Sequence, residues 1–299
     1  MPDRLVVRAL HPRLEERGCV EASAKRTTLL GSSGEARVRL CVYRVEASLV
    51  YEHGWENRLA EPGWRLRVES VGPRLCRYHE GPPGDPLRQK WCHAPATRGS
   101  WCQRHSSSPL ALYERCAAGN DMDACRAVDA LWRSEEYIVY LVYHGAGLKV
   151  GVTRAWRFYT RILEQPHLAA AILAKLPSAL EARRLEKRLA RTKGFNEGIG
   201  VPRAYRMRAS LLSTQSLEAI AKRLAEAVTR LGLEGEFQAV RLEADCPTQP
   251  LLHPRDRLEA GTYEYVCTWG GVIVFRRGGE YVGFRREAIQ HLLLAGSVV

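Results

Sequence analysis

The sequence predicts an α+β protein, and three observations carry that reading. Alternating, β-branched segments occupy both ends of the 299-residue chain. A Gly/Pro-rich stretch bearing Cys and His lies between residues 76 and 125, and helix signals concentrate between residues 153 and 231. The hydrophobic fraction of 45% and charged fraction of 26% exclude disorder for most of the chain.

Residues 1–75 read as β structure. Residues 5–10 are apolar, and Val38, Leu40 and Val42 alternate with Arg37, Arg39, Cys41 and Tyr43. Residues 64–68 alternate again, with Gly31, Gly34, Gly54 and Gly63 as punctuation. Residues 76–125 read as loop, with Gly81-Pro82-Pro83-Gly84 and Ser106-Ser107-Ser108-Pro109 and little periodicity. A loop of that length needs something to order it.

Residues 137–143 and 148–152 form a hairpin around His144-Gly145-Ala146-Gly147. Thr153 caps a helix that Pro166 ends after Gln165. Ser178 and Glu181 make a capping box for a second helix with its stop at Gly194. Between them, the alanine-rich residues 167–176 have helix propensity. Residues 216–231 are an amphipathic packing helix before Gly232, and strands over 263–267, 272–275 and 281–284 precede a short final helix. The expected organisation is a β-rich domain over 1–75, a metal-binding region over 76–136, a basic core over 137–210, and a helix plus β segment over 211–299.

The net charge of +12 is carried by 38 arginines against 7 lysines and is not spread evenly. Residues 137–210 hold 14 positive and 4 negative side chains, and so most of the excess. A genome-wide preference for arginine predicts an even spread. A local block points to a polyanion.

The amino terminus lacks the apolar core of a signal peptide, and no stretch reaches the roughly 18 apolar residues of a spanning helix. The expectation is a cytoplasmic protein. Of nine cysteines, the five at 76, 92, 102, 116 and 125 interleave with His79, His93 and His105, and that clustering in a reducing compartment points to metal rather than disulfides. Structural zinc takes four thiolates or imidazoles, often paired two residues apart. Cys102-Gln103-Arg104-His105 and Cys76-Arg77-Tyr78-His79 have that spacing. The preferred zinc set is Cys76, Cys92, Cys102 and His105, with His79 or His93 as substitutes; unrelated free thiols are the alternative. Cys116 and Cys125 read as buried thiols, or as a disulfide in a hyperthermophile.

Projected at 100° per residue, Arg154, Arg157 and Arg161 share one arc of the first helix. In the second, Ala179, Ala182, Leu185, Leu189 and Ala190 form the apolar arc, and Arg183, Arg184, Lys187, Arg188 and Arg191 lie opposite. Glu186 projects into the apolar arc. An inward carboxylate is costly unless it meets a cation, either an arginine of the preceding helix or a divalent ion.

Ile138-Val139-Tyr140, Lys149-Val150-Gly151-Val152-Thr153, Arg161 and Glu186, in that order, resemble the GIY-YIG superfamily over about residues 137–197. The wider chain resembles an uncharacterised prokaryotic family in which a Cys/His cluster precedes such a core. The resemblance implies a small α/β core, with part of residues 167–176 as a third strand. It further implies Tyr140 activating water, Arg161 on the scissile phosphate, Glu186 holding Mg²⁺ or Mn²⁺, and a minor place for Asn196. Ile138 stands in place of the motif glycine and Lys149 in place of the second tyrosine. Lys149 then serves as a phosphate contact, consistent with binding without cleavage.

The leading expectation is a zinc-containing nucleic-acid-binding protein that prefers RNA to DNA. Its contacts would be Lys149, Arg154, Arg157, Arg161, Arg184, Lys187 and Arg188. The alternatives are a metal-dependent endonuclease using Tyr140, Arg161 and Glu186, and a non-enzymatic adaptor in a ribonucleoprotein complex.

Overall fold

The structure is a computed structural model that describes residues 3–27, 33–118, 121–145, 147–196, 203, 205, 206 and 215–299. Gly31, Ala146 and the expected boundary at 210–211 lie outside the described residues. Four strands open the chain: β1 (Asp3–Thr27), β2 (Ser33–His53), β3 (Glu56–Ala60) and β4 (Arg65–Arg74). A two-strand ribbon, β5 (His79–Glu80) and β6 (Lys90–Trp91), leads to helices α1 (Pro109–Ala118) and α2 (Met122–Leu131). Then come β7 (Tyr137–Tyr143), β8 (Leu148–Arg154), α3 (Phe158–Leu163), β9 (Ala169–Leu176), α4 (Ala179–Ala190) and β10 (Phe195–Asn196). The remainder is α5 (Leu217–Arg230), β11 (Gly235–Glu243), α6 (Thr248–Leu252), β12 (Gly261–Trp269), β13 (Val272–Arg277), β14 (Glu280–Arg285), α7 (Arg286–Ile289) and β15 (Leu292–Val298).

These elements make two compact units. The first comprises residues 1–13, 46–115 and 244–299. Its strands run β1-β15-β4-β12-β13-β14, each pair antiparallel, with β3 on the end of β2. Both ends of the chain therefore share one sheet. Val6, Leu49, Tyr263, Phe275 and Phe284 are buried in it, and the last three rings meet edge to face. The Gly278-Gly279 turn joining β13 to β14 needs positive φ at both positions, 58° and 89°, which glycine supplies without strain.

The second unit comprises residues 14–45 and 116–243. Its strand order is β10-β8-β7-β9-β11-β2. Every residue of β7 is buried, as its unbroken β-branched and aromatic sequence requires of a central strand. It lies between β8 and β9, antiparallel to both, and pairs Tyr140 with Gly151. A Cβ on Gly151 would sit 2.6 Å from the Tyr140 phenol, so only glycine lets that ring lie across β8. Helix α4 packs over β7, β8 and β9. Its first amides are held by Asp129 of α2: Ala179 N donates to Oδ1 at 2.6 Å and Leu180 N to Oδ2 at 3.2 Å. Ser178 accepts from Glu181 N at 3.1 Å, so the cap starts the helix where the sequence indicates.

Several local expectations are corrected. Residues 76–125 are not loop throughout, because α1 and the start of α2 occupy their end. Residues 153–165 are not one helix: β8 runs to Arg154, a 3₁₀ turn covers Ala155–Arg157, and α3 begins at Phe158. Ladder bonds to β7 and burial of the Arg154 side chain hold that residue in the sheet. Residues 169–176 are strand despite their alanines, since a place between β7 and β11 outweighs a weak intrinsic preference. The chain finishes on β15 rather than on a helix. Among the described residues no helix is long and apolar enough to cross a membrane.

Candidate metal centre and basic core

Two constellations stand out, one in each unit. In the first unit, Leu75 begins the chain's departure from β4, and Cys76 N donates to Ala94 O at 2.9 Å. Cys92 N donates to Tyr78 O at 2.9 Å from the opposite arm of the β5–β6 ribbon. Cys102 precedes the 3₁₀ turn Gln103–His105, and the His105 amide bonds back to Cys102 O at 3.1 Å. These turns bring the Cys76, Cys92 and Cys102 sulfurs and one nitrogen of the His105 ring all within 4.8 Å of one another. His105 Nδ1 lies 3.7 Å from Cys76 Sγ and 3.4 Å from Cys102 Sγ. A tetrahedral site with bonds of 2.0–2.3 Å has edges of about 3.5–3.8 Å, so the donor set fits a metal ion.

Burial favours the neutral form, which suits the His105 imidazole as a ligand and opposes the thiolate that a metal needs at Cys76. Burial, then Arg104, lowers the His105 pKa and keeps its ring neutral, with Tyr78 stacked on it at 3.8 Å. Burial pushes the Cys76 thiol up to about 11. At Cys102 burial is outweighed by the His105 amide and the Cys76 and Cys92 thiols, which lower its pKa. The two substitute ligands are turned elsewhere: His93 Nε2 meets Glu52 Oε1 at 3.0 Å, and the His79 ring packs on Trp91.

The reading of metal rather than disulfides for the cysteines between 76 and 125 is corrected at Cys116 and Cys125, where the alternative of a disulfide holds. Cys19–Cys41, Cys116–Cys125 and Cys246–Cys267 are bonded, and Cys76, Cys92 and Cys102 are the free cysteines. The buried-thiol reading of Cys116 and Cys125 fails because α1 and α2 place their Cα atoms 4.8 Å apart, within disulfide reach. Cys19 and Cys41 sit on neighbouring strands β1 and β2, a pairing that a linear sequence does not display.

In the second unit, Gln165 joins the predicted residues. Its Nε2 donates to Tyr140 Oη at 3.2 Å and its Oε1 accepts from Lys149 Nζ at 3.0 Å. Tyr140, followed against burial by Glu164, holds the Arg161 pKa above its ordinary value. Burial, then the neighbouring Arg161 charge, pushes Lys149 down to about 8, with Glu186 opposing. Tyr140, Lys149, Arg161 and Glu186 thus fall within electrostatic reach of one another through Lys149 and Arg161. Glu186 is 5% exposed and ion-paired with Arg183, which is equally buried. An ion-pair partner of Glu186 is therefore on its own helix, and Arg183 does not belong to the polar face.

The other cations divide sharply. Arg154 is buried with its guanidinium 4.7 Å from the Trp132 ring centroid and 4.6 Å from that of Trp156. Arg157 and Arg161 both bind Glu164, at 2.7 and 3.3 Å. The arc of three arginines expected on one helix is therefore a strand residue in an aromatic sandwich plus two residues sharing a carboxylate. On α4, Arg184 and Arg188 are exposed and Lys187 partly so, with Arg191 beyond them. Among the described residues none of these four is ion-paired. Asn196 lies on β10, paired with Lys149 of β8.

Residues 71–250 match the model of a family described as proteins of unknown function, DUF2797. The chain belongs to the DUF2797 family. The DUF2797 match covers the four candidate metal donors, the β7–β8 hairpin and all of α4. No curated protein and no solved structure matches the chain.

Sequence reasoning missed two site residues. Gln165 was read only as the last residue of a helix, although its place before Pro166 gave no chemical signal. Arg8, described below, hides in an apolar strand, where a charged residue is itself the signal.

Proposed function

We propose that this DUF2797 chain is a nucleic-acid-binding protein, preferring RNA, whose α4 lays a basic face along the phosphate backbone. The single observation that supports this reading is the set of outward cations Arg184, Lys187 and Arg188 on α4 and Arg191 at its C-cap, none ion-paired among the described residues. A solvated structural helix ordinarily intersperses acidic partners at these spacings. Lys149 and Arg161, two like charges held close together beside Gln165, add a second place for a phosphate. In this reading the metal of the Cys76, Cys92, Cys102 and His105 centre is Zn²⁺ in a structural role, because four protein donors leave no open position.

The core acts as a degenerate GIY-YIG-like domain. The alternative, hydrolysis by Tyr140, Arg161 and Glu186 with Mg²⁺ or Mn²⁺, is favoured by the closeness of Tyr140 and Arg161. It is disfavoured by Glu186, whose carboxylate is buried against Arg183. The test is a binding and cleavage assay on structured RNA, single strands and duplex DNA, with Mg²⁺ or Mn²⁺. Salt-dependent binding of intact RNA that weakens on replacing Arg184, Lys187 and Arg188 supports the proposal. Mg²⁺- or Mn²⁺-dependent cleavage abolished by Glu186→Gln in a protein that keeps its circular dichroism replaces it with the enzyme, and no binding to any of the three removes it.

A further inference from the structure

Arg8 is fully buried near the start of β1, at 1% exposure, an expensive place for a charge. Its Nε and Nη2 both meet Glu52 Oε2 at 2.5 Å, and Glu52 is itself buried on β2. The guanidinium then spends its remaining protons on main chain. Nη1 donates to Cys76 O at 3.5 Å and Nη2 to Cys92 O at 3.4 Å. Nη1 also lies 3.4 Å from the buried His291 ring nitrogen Nδ1, and the group sits over the Trp91 ring at 5.4 Å. The other oxygen of Glu52 holds His93, the residue after Cys92.

We infer that Arg8, fixed by Glu52, is the positioning residue of the metal centre. One planar fork grips the carbonyls of two cysteine ligands that come from separate turns of the loop, and it ties both to the sheet of the first unit. Hydrophobic strand packing requires no ion pair at this position, and a buried pair gives little net stability over apolar residues. What it does supply is direction. Cys76 and Cys92 stand on a segment with little apolar content, so their spacing must be set from outside it. The contact through Glu52 also explains why His93, adjacent to a ligand, faces away from the sulfurs. Lysine carries the same charge but only a point-like ammonium, and cannot reach both carbonyls and Glu52 at once.

The inference rests on the metal reading above, and the test separates the two. Zn²⁺ content and affinity, by competition with a colorimetric chelator, are compared for the full-length wild type, Arg8→Lys and Glu52→Gln. The absorption spectrum of each Co²⁺-substituted protein and its far-UV circular dichroism are recorded beside them. We expect Arg8→Lys to lower Zn²⁺ affinity about 10- to 100-fold and to alter the Co²⁺ bands, with the dichroism unchanged. Glu52→Gln gives a smaller loss in the same direction, and it decides the question if Arg8→Lys does not fold. Wild-type affinity and an unchanged Co²⁺ spectrum in the folded variants overturn the role of Arg8 while leaving the metal centre intact. A wild type that takes up neither Zn²⁺ nor Co²⁺ overturns both.

Discussion

Glu186 and Arg183, one turn apart on α4, are buried together and ion-paired beneath the exposed face that carries Arg184, Lys187 and Arg188. The pair divides the basic helix into an inner structural cation and an outer set free to bind. Removing one partner leaves the other charged and desolvated. Glu186→Ala therefore destabilises the fold by about 3–5 kcal/mol, whereas the paired change Arg183→Met with Glu186→Leu is close to neutral. Urea unfolding of the single and double variants measures this. A single variant as stable as wild type would mean that the carboxylate is not held by Arg183.

Lys149 gives the core a pH dependence on the alkaline side. Its folded pKa, about 8, lies below the ordinary lysine value, so the unfolded chain binds the proton more strongly. Stability contributed through Lys149 therefore rises as pH increases from about 8 toward about 10.4, and Lys149→Met flattens that rise. On the acid side, burial and Lys149 push His144 down to about 4. The unfolded chain takes up that proton near pH 6.5, so stability falls as pH drops from there toward 4. Urea midpoints across pH 4–10 for wild type, Lys149→Met and His144→Asn check both slopes.

Asp129, near the end of α2, holds the start of α4, accepting from the Ala179 and Leu180 amides and from the Ser178 hydroxyl at 2.7 Å. Asp129→Ala removes all three hydrogen bonds and costs about 1–2 kcal/mol. Faster amide hydrogen exchange at Ala179–Glu181 than at the end of the helix locates the effect. Uniform protection along α4 in the variant contradicts it.

Cysteine chemistry separates the two kinds of thiol. Alkylation under denaturing, non-reducing conditions after metal removal should modify Cys76, Cys92 and Cys102 and leave six cysteines in three disulfides. Before metal removal, the native protein resists modification at these three positions. Peptide mapping reads both results, and label on Cys116 or Cys125 contradicts the assignment.

The metal donors were legible because their evidence is local: a Cys-x-x-His spacing in a segment too polar to order itself. The strands at both ends and the capping box at Ser178 were legible for the same reason. Arg154 continues the helical periodicity smoothly across a strand end, and of the two rings that fix it Trp156 is a neighbour in sequence whereas Trp132 lies in a distant segment. Cys19 and Cys41 were opaque because strand neighbours are set by topology, which composition does not encode. Arg8 stands out as a charge in an apolar strand, but its partner Glu52, 44 positions away, is paired with it only once β1 and β2 are in place.

The most direct test of the account is the salt dependence of RNA binding, measured by fluorescence anisotropy of a labelled hairpin RNA. Wild type should show affinity falling linearly in log–log form with salt. The Arg184→Ala, Lys187→Ala, Arg188→Ala triple variant should lose about 2–3 units of that slope while keeping its dichroism and zinc. An identical slope in wild type and triple variant, or no RNA binding at low salt, contradicts the account.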